Sequence, residues 1–218
     1  MSLENFSYHD TIGIASFLGR GFMNPVDLRF DSTGMLFVLS RSNAGNKNVR
    51  VSAVTLDSEF QFEFANWGTE PGQTPLPTAL AFDSKDRLYV SDEHMHNVSV
   101  FDREGNFIKR WGEFGSEPGQ LNRPSGLAVD SDDTILVMDH VNARIQKMTP
   151  EGQYISSFGS VGSGPGEFNF AWGISGDTGG DIWVADWRND RVQRFTADGE
   201  VVSTFGTSGS GEGELDRP

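Results

Sequence analysis

The chain has 218 residues, 36% hydrophobic and 11% aromatic, which is enough to bury a core. Its net charge of −14, with the 17 Lys and Arg scattered, argues against a nucleic-acid partner. It has no Cys, which excludes disulfides and thiolate metal sites, and no apolar run near the ~18 residues that a membrane helix needs.

The first ten residues, MSLENFSYHD, have no basic start and no apolar stretch, so no signal peptide is read in this chain. The cellular location stays unassigned, with cytoplasmic as the default. Thr11–Phe17 (TIGIASF) reads as one β-strand. From Asn24 the chain repeats itself. A first, looser copy covers 24–70, and closer copies cover 76–115, 123–162 and 170–209. Asp83, Asp130 and Asp177 are spaced by 47, as are Asp92, Asp139 and Asp186; Asp31 precedes Asp83 by 52. Each copy reads as four short strands. In the third they are SGLAVD, TILVMD, RIQKM and QYISSFG, and Gly-bearing turns such as DREG, TPEG and TADG close the third strand onto the fourth. A fixed period of this size in an all-β pattern predicts a β-propeller, one blade per copy. Thr11–Phe17 would be the outer strand of a preceding blade. Because the fourth copy has its own outer strand, VVSTF, an incomplete arc is expected rather than a closed ring of four. Open blade faces would favour self-association.

DHVNARIQ (Asp139 to Gln146) and DWRNDRVQRF (Asp186 to Phe195) resemble the Asp-x-x-Asn-x-Arg-Ile/Val-Gln signature of NHL repeats. The second copy departs from it at Met95 and Asn97, and the first has Ser40 in place of the Asp. The resemblance implies a propeller, commonly of six blades. Some NHL propellers are metal-using lyases of peptidyl-α-hydroxyglycine. Their zinc-binding His follows the Pro that opens the inner strand, and their catalytic Tyr lies two residues after the hairpin Asp. Val26, Thr78, Ser125 and Trp172 hold the first place here, and Val141 and Arg188 the second. The resemblance therefore leans away from an enzyme in these blades. A metal-dependent lyase or hydrolase with part of its site elsewhere is the alternative.

Asp139 with Arg144, and Asp186 with Arg191, read as hairpin-stapling ion pairs. His94, His96 and His140 are the residues that a divalent metal would use, if their loops converged; exposed loop histidines without a common focus are the plainer reading. GSGPGE and GSGEGE read as linkers, since no Lys-Ser/Thr pair follows them. Function must lie where the copies differ. Asn24, Thr78, Arg123 and Trp172 stand where inner strands begin, and Arg41, Glu93, His140 and Trp187 stand in the hairpin loops. Both sets fall at the same end of the blades. Trp183, in DIWVAD, is expected in the core. The expected function is non-enzymatic recognition of a protein, peptide or small ligand on that loop face, with no cofactor, catalytic set, nucleic acid or membrane partner.

Overall fold

Short β-branched and aromatic runs, each closed by an Asp- or Gly-bearing turn, make every copy of the repeat a four-stranded antiparallel sheet. The computed structural model describes residues 12, 22–41 and 48–218. Blade 1 holds β1 (Pro25–Phe30), β2 (Leu36–Ser40), β3 (Arg50–Val54) and β4 (Phe60–Phe64). Blade 2 holds β5 (Pro77–Phe82), β6 (Leu88–Asp92), β7 (Asn97–Phe101) and β8 (Phe107–Trp111). Blade 3 holds β9 (Pro124–Val129), β10 (Ile135–Asp139), β11 (Arg144–Met148) and β12 (Tyr154–Phe158). A parallel pair, β13 (Ser160–Val161) and β14 (Glu167–Phe168), bounds the linker into blade 4. Blade 4 holds β15 (Ile174–Gly176), β16 (Ile182–Asp186), β17 (Arg191–Phe195) and β18 (Val201–Phe205), with a 3-10 turn at Trp187–Asn189 between β16 and β17. Strand order follows the sequence in every sheet. The chain is an all-β propeller with four visible blades of four antiparallel strands. The strand expected over Thr11–Phe17 lies outside the described residues, Ile12 apart.

The 47-spaced aspartates build the turn between the first two strands. Asp83 Oδ1 accepts the backbone N–H of Lys85 and Arg87 at 3.0 and 2.9 Å. Asp31, Asp130 and Asp177 repeat the arrangement. The turn also ties neighbouring blades together. Ser32 donates through N and Oγ to Asp86 at 2.9 and 2.6 Å, and Ser84 donates to Asp133 at 2.8 and 2.6 Å. The series stops at Ser131, because Gly180 stands in the next blade where Asp133 would recur.

The core is a set of seams between blades. Phe37, Leu39 and Val51 meet Leu88, Val90 and Phe101 in one seam. Tyr89, Val98 and Val100 meet Ile135, Val137 and Met148 in the next. Leu136, Met138 and Ile145 meet Ile182, Val184 and Phe195 in the third. Burying each such side chain is worth roughly 1.5–3 kcal/mol. An outer-strand aromatic closes each seam under a turn glycine of the next blade: Phe64 under Gly105, Trp111 under Gly152, Phe158 under Gly199. These glycines have φ of 84°, 86° and 88°, and a Cβ on any of them would lie 2.6 Å or less from the ring below, so glycine is needed twice over.

Blade 4 carries the same docking face, formed by Trp183, Ala185, Val192 and Phe205, and no blade covers it among the described residues. Phe205 is 47% exposed where its counterparts Phe64 and Trp111 are 8%. Trp183 is consequently not a core residue, contrary to the sequence expectation. Its ring stacks on Phe205 at 5.4 Å and its indole N–H donates to Asp177 Oδ2 at 2.9 Å, partly open to solvent. The strand pattern is the one that buries Leu136 in blade 3; only the neighbour differs.

The inner strands β1, β5, β9 and β15 surround an axial cavity of about 120 Å³. Their small residues reflect crowding there: a Cβ on Gly126 would lie 2.7 Å from the Trp172 carbonyl oxygen.

Candidate functional site: the aromatic mouth

The repeat signature proves to be a hydrogen-bond relay. Asp139 is fully buried; its Oδ1 accepts the Asn122 N–H at 2.6 Å, and its Oδ2 accepts Asn142 Nδ2, Arg144 Nε and Gln146 Nε2 at 2.8, 2.9 and 3.1 Å. Asp186 repeats this with Asn169, Asn189, Arg191 and Gln193. The hairpin-stapling ion pairs are present, and each guanidinium reaches further. Arg144 donates to the Glu117 and Gln120 carbonyls, and Arg191 to those of Ser163, Gly164 and Glu167. The signature therefore clamps the Gly-rich linker onto its blade, and its charge is fully used in doing so.

Blade 2 solves the same problem from another strand. Asn97 stands where Arg144 does, and Arg110 on β8 supplies the guanidinium. It donates to Thr69, Glu70 and Gln73 carbonyls at 3.2, 3.1 and 2.8 Å and to Ser99 Oγ at 3.2 Å. Glu70 and Gln73 lie 47 residues before Glu117 and Gln120, so the same linker carbonyls are held. Asp92 then accepts only backbone N–H groups, from Leu76, His94 and Met95, and burial pushes its carboxyl above the ordinary value of 3.8 against those three bonds.

The divergent residues fall into separate groups. Glu93, with a buried side chain, pairs with Arg41 and, at 3.0 Å, with Arg123. Asn24 holds the backbone of Arg41 through its carbonyl, at 3.1 Å, and its Nδ2, at 3.5 Å. Thr78 is buried, 2.9 Å from the Pro124 carbonyl and 2.8 Å from Ser91 Oγ, so its hydroxyl stitches inner strands together. His140 and Trp172 come together: their rings meet edge-on at 5.0 Å, and His140 meets Phe170 at the same distance. A repeating contact underlies this. The hairpin-loop residue of one blade touches the strand-entry residue of the next, as Glu93 does Arg123, His140 does Phe170, and Trp187 does Arg217. Those entry residues share a left-handed backbone, with φ of 56°, 57° and 54°. Arg123 thus corresponds to Phe170, whereas Trp172 corresponds to Ser125. Comparing each copy at a strict interval of 47 exposes Phe170 as the divergent aromatic, a signal the strand-start comparison passed over.

His140, Phe170, Trp172, Ala185, Trp187 and Pro218 line an open cavity of about 480 Å³ at the mouth. Trp172 also bounds the axial cavity, so mouth and channel share this residue. The Arg188 guanidinium lies 4.0 Å above the Phe170 ring centroid and 5.5 Å from that of Trp187. Burial holds His140 below the usual imidazole range, opposed by the Ala171 carbonyl 2.9 Å from Nδ1 and aided by Arg123 and Arg188. At neutral pH the ring is uncharged, with its proton on Nδ1 for that carbonyl and a lone pair on Nε2. Apolar walls with a few fixed polar atoms are the makings of a binding site.

The three histidines have separate employments. His96 Nδ1 accepts the Arg123 N–H at 3.0 Å, and its ring packs on Phe114. His140 is held by Ala171, and His94 is exposed. Among the described residues no three His, Asp or Glu side chains are grouped to hold a metal ion.

A family model described as a 6-bladed beta-propeller matches residues 79–149, and the NHL repeat model matches residues 168–195. NHL repeat-containing protein 3 of Homo sapiens is 28% identical over 91 residues, 41% of this chain and 26% of that protein. The chain thus spans about a quarter of the curated relative that it matches. Among solved structures, a virginiamycin B lyase from Staphylococcus aureus superposes with a TM-score of 0.60 at 14% identity, covering 85% of this chain and 56% of that one. A gluconolactonase from Xanthomonas campestris gives 0.63 at 17% identity, covering 84% and 62%. At these identities the likeness is one of fold. With the linker clamp repeated in blades 3 and 4, the chain is a β-propeller similar to the six-bladed propeller family over residues 79–149 and to NHL repeats over residues 168–195.

Proposed function

We propose that this protein is a non-enzymatic recognition propeller that holds a ligand at the mouth formed by the hairpin loops of blades 3 and 4. One observation carries the reading: Trp172 and Trp187, from an inner strand's start and a hairpin loop, line a single apolar cavity with His140 and Phe170. Its volume falls in the range of roughly 300–1,000 Å³ that small-molecule sites occupy. Aromatic side chains in such a place carry much of the energy of binding. The polar networks repeated between blades, by contrast, are spent on the blades themselves. The buried aspartates serve the linker clamps, and Thr78 and Ser125 serve the axis.

The test is a fragment screen read by ligand-observed NMR on the whole chain, with Trp172→Ala and Trp187→Ala as counter-screens. Hits should cluster among apolar ring compounds, and each substitution should weaken them by about 2 kcal/mol or more. Hits whose binding survives both substitutions would refute the assignment.

A further inference from the structure

The cavity at the mouth has apolar walls and a basic rim. Phe170, Trp172, Trp187, Ala185 and Pro218 supply the walls. Arg188 lies on the face of Phe170 and is exposed; its backbone N–H donates to the Asn169 carbonyl at 3.0 Å, and its guanidinium forms no ion pair or hydrogen bond among the described residues. That distinguishes it from the arginines spent on structure: Arg144 and Arg191 clamp linkers, and Arg41 and Arg123 share Glu93. Arg217 stands 5.4 Å from the Trp187 ring, but acids flank it: its guanidinium makes a loose 3.9 Å contact to Asp216, and its N–H donates to Asp190 Oδ1 at 2.9 Å. A chain of net charge −14 thus presents the Arg188 guanidinium without an acidic partner among the described residues at the edge of this cavity. No negative side chain lines it, and His140 is neutral. The indole N–H groups of Trp172 and Trp187 meet no acceptor in the described chain and remain available as donors.

We propose that the mouth takes an apolar, ring-bearing group that carries a carboxylate, with Arg188 pairing the anion and Phe170, Trp172 and Trp187 bedding the ring. The proposal rests on the recognition reading above and narrows it to a chemical class. A planar guanidinium held over an aromatic ring is preset for a carboxylate, which it receives through two parallel hydrogen bonds. A cationic ligand would meet the Arg188 guanidinium instead of a counter-charge. Two sources share this chemistry: a free arylalkanoic acid, and a peptide chain ending in an aromatic residue with its α-carboxylate free.

The experiment is calorimetric titration of the whole 218-residue chain with 3-phenylpropionate, 3-phenylpropionamide and 3-phenylpropylamine. A glycine peptide ending in phenylalanine, with its terminus free or amidated, makes a second arm. The acid should bind, and the amide and amine should each bind about tenfold more weakly or worse. Arg188→Met should erase the preference for acid over amide while leaving the amide's own binding in place, and Arg188→Lys should restore part of it. Tighter binding of the free-terminus peptide than of phenylpropionate would assign a peptide terminus as the source; the reverse would assign a free acid. Equal binding of acid and amide by the unaltered chain would overturn the carboxylate inference and leave the recognition reading standing. Absence of binding by any probe, or binding indifferent to both Trp172→Ala and Trp187→Ala, would overturn both.

Discussion

At the scale of single residues, the clearest result is the exchange between positions 97 and 110. Blades 3 and 4 place the linker-holding guanidinium on the third strand, at Arg144 and Arg191, and have Ser157 and Thr204 on the fourth, opposite Gln146 and Gln193. Blade 2 places it on the fourth strand, at Arg110, opposite Ser99. Arg110→Ser should therefore cost about 1–3 kcal/mol, because three linker carbonyls lose a charged donor. Adding Asn97→Arg should recover part of that cost, which urea denaturation of the single and double variants will show. Asp92 bears the consequence of the exchange. Its folded pKa is raised by burial, so the folded chain holds this proton to a higher pH than the unfolded chain does. Stability should accordingly fall as pH rises from the ordinary value of 3.8 through the raised one. Asp92→Asn, which has no proton to lose, should lack that fall, and the two stability curves should diverge over this window. The departure at Met95 and Asn97 was legible in the sequence; its remedy was not. Arg110 acts across space on residues about 40 positions away, and no periodic pattern announces it.

At the scale of elements, the four-strand blades, the Asp-led turns and the linkers were all readable, because each rests on local chemistry repeated at a fixed interval. The stitch between turns was not read, although its residues follow the same interval. Ser84 bonds twice to Asp133, and Gly180 stands where Ser131 would need the equivalent aspartate. Ser84→Ala should cost about 1 kcal/mol, whereas Ser131→Ala should change the melting temperature little. Equal losses in the two variants would show that the stitch contributes nothing. The mouth was legible in part. Trp172, Trp187 and His140 were singled out as departures from the repeat and share one cavity. Arg41, Glu93 and Arg123 were singled out by the same logic and make an ion-paired group of their own. Divergence between copies marks both kinds of position, since a seam between two blades is free to use salt bridges in one place and rings in another.

At the scale of the whole molecule, the seams decide where Trp183 lies and how the chain should behave in solution. A blade face is apolar because a neighbour covers it. The face of blade 4 repeats the pattern with Trp183, Val192 and Phe205 uncovered in the described structure. The 218-residue chain is expected to self-associate through this face, as exposed apolar patches do. Phe205→Glu should shift it toward a monomer in sedimentation velocity, with little loss of stability. A chain that is monomeric without the substitution would contradict this. The mouth and the blade face both carry tryptophan, so a ligand must be shown to choose between them. The five indole N–H groups give five resonances in an ¹⁵N-labelled sample, assignable by single Trp→Phe substitutions. On titration with 3-phenylpropionate the signals of Trp172 and Trp187 should move together, with one dissociation constant, while those of Trp67, Trp111 and Trp183 stay in place. Movement confined to Trp183, or no movement at Trp172 and Trp187, would contradict recognition at the mouth.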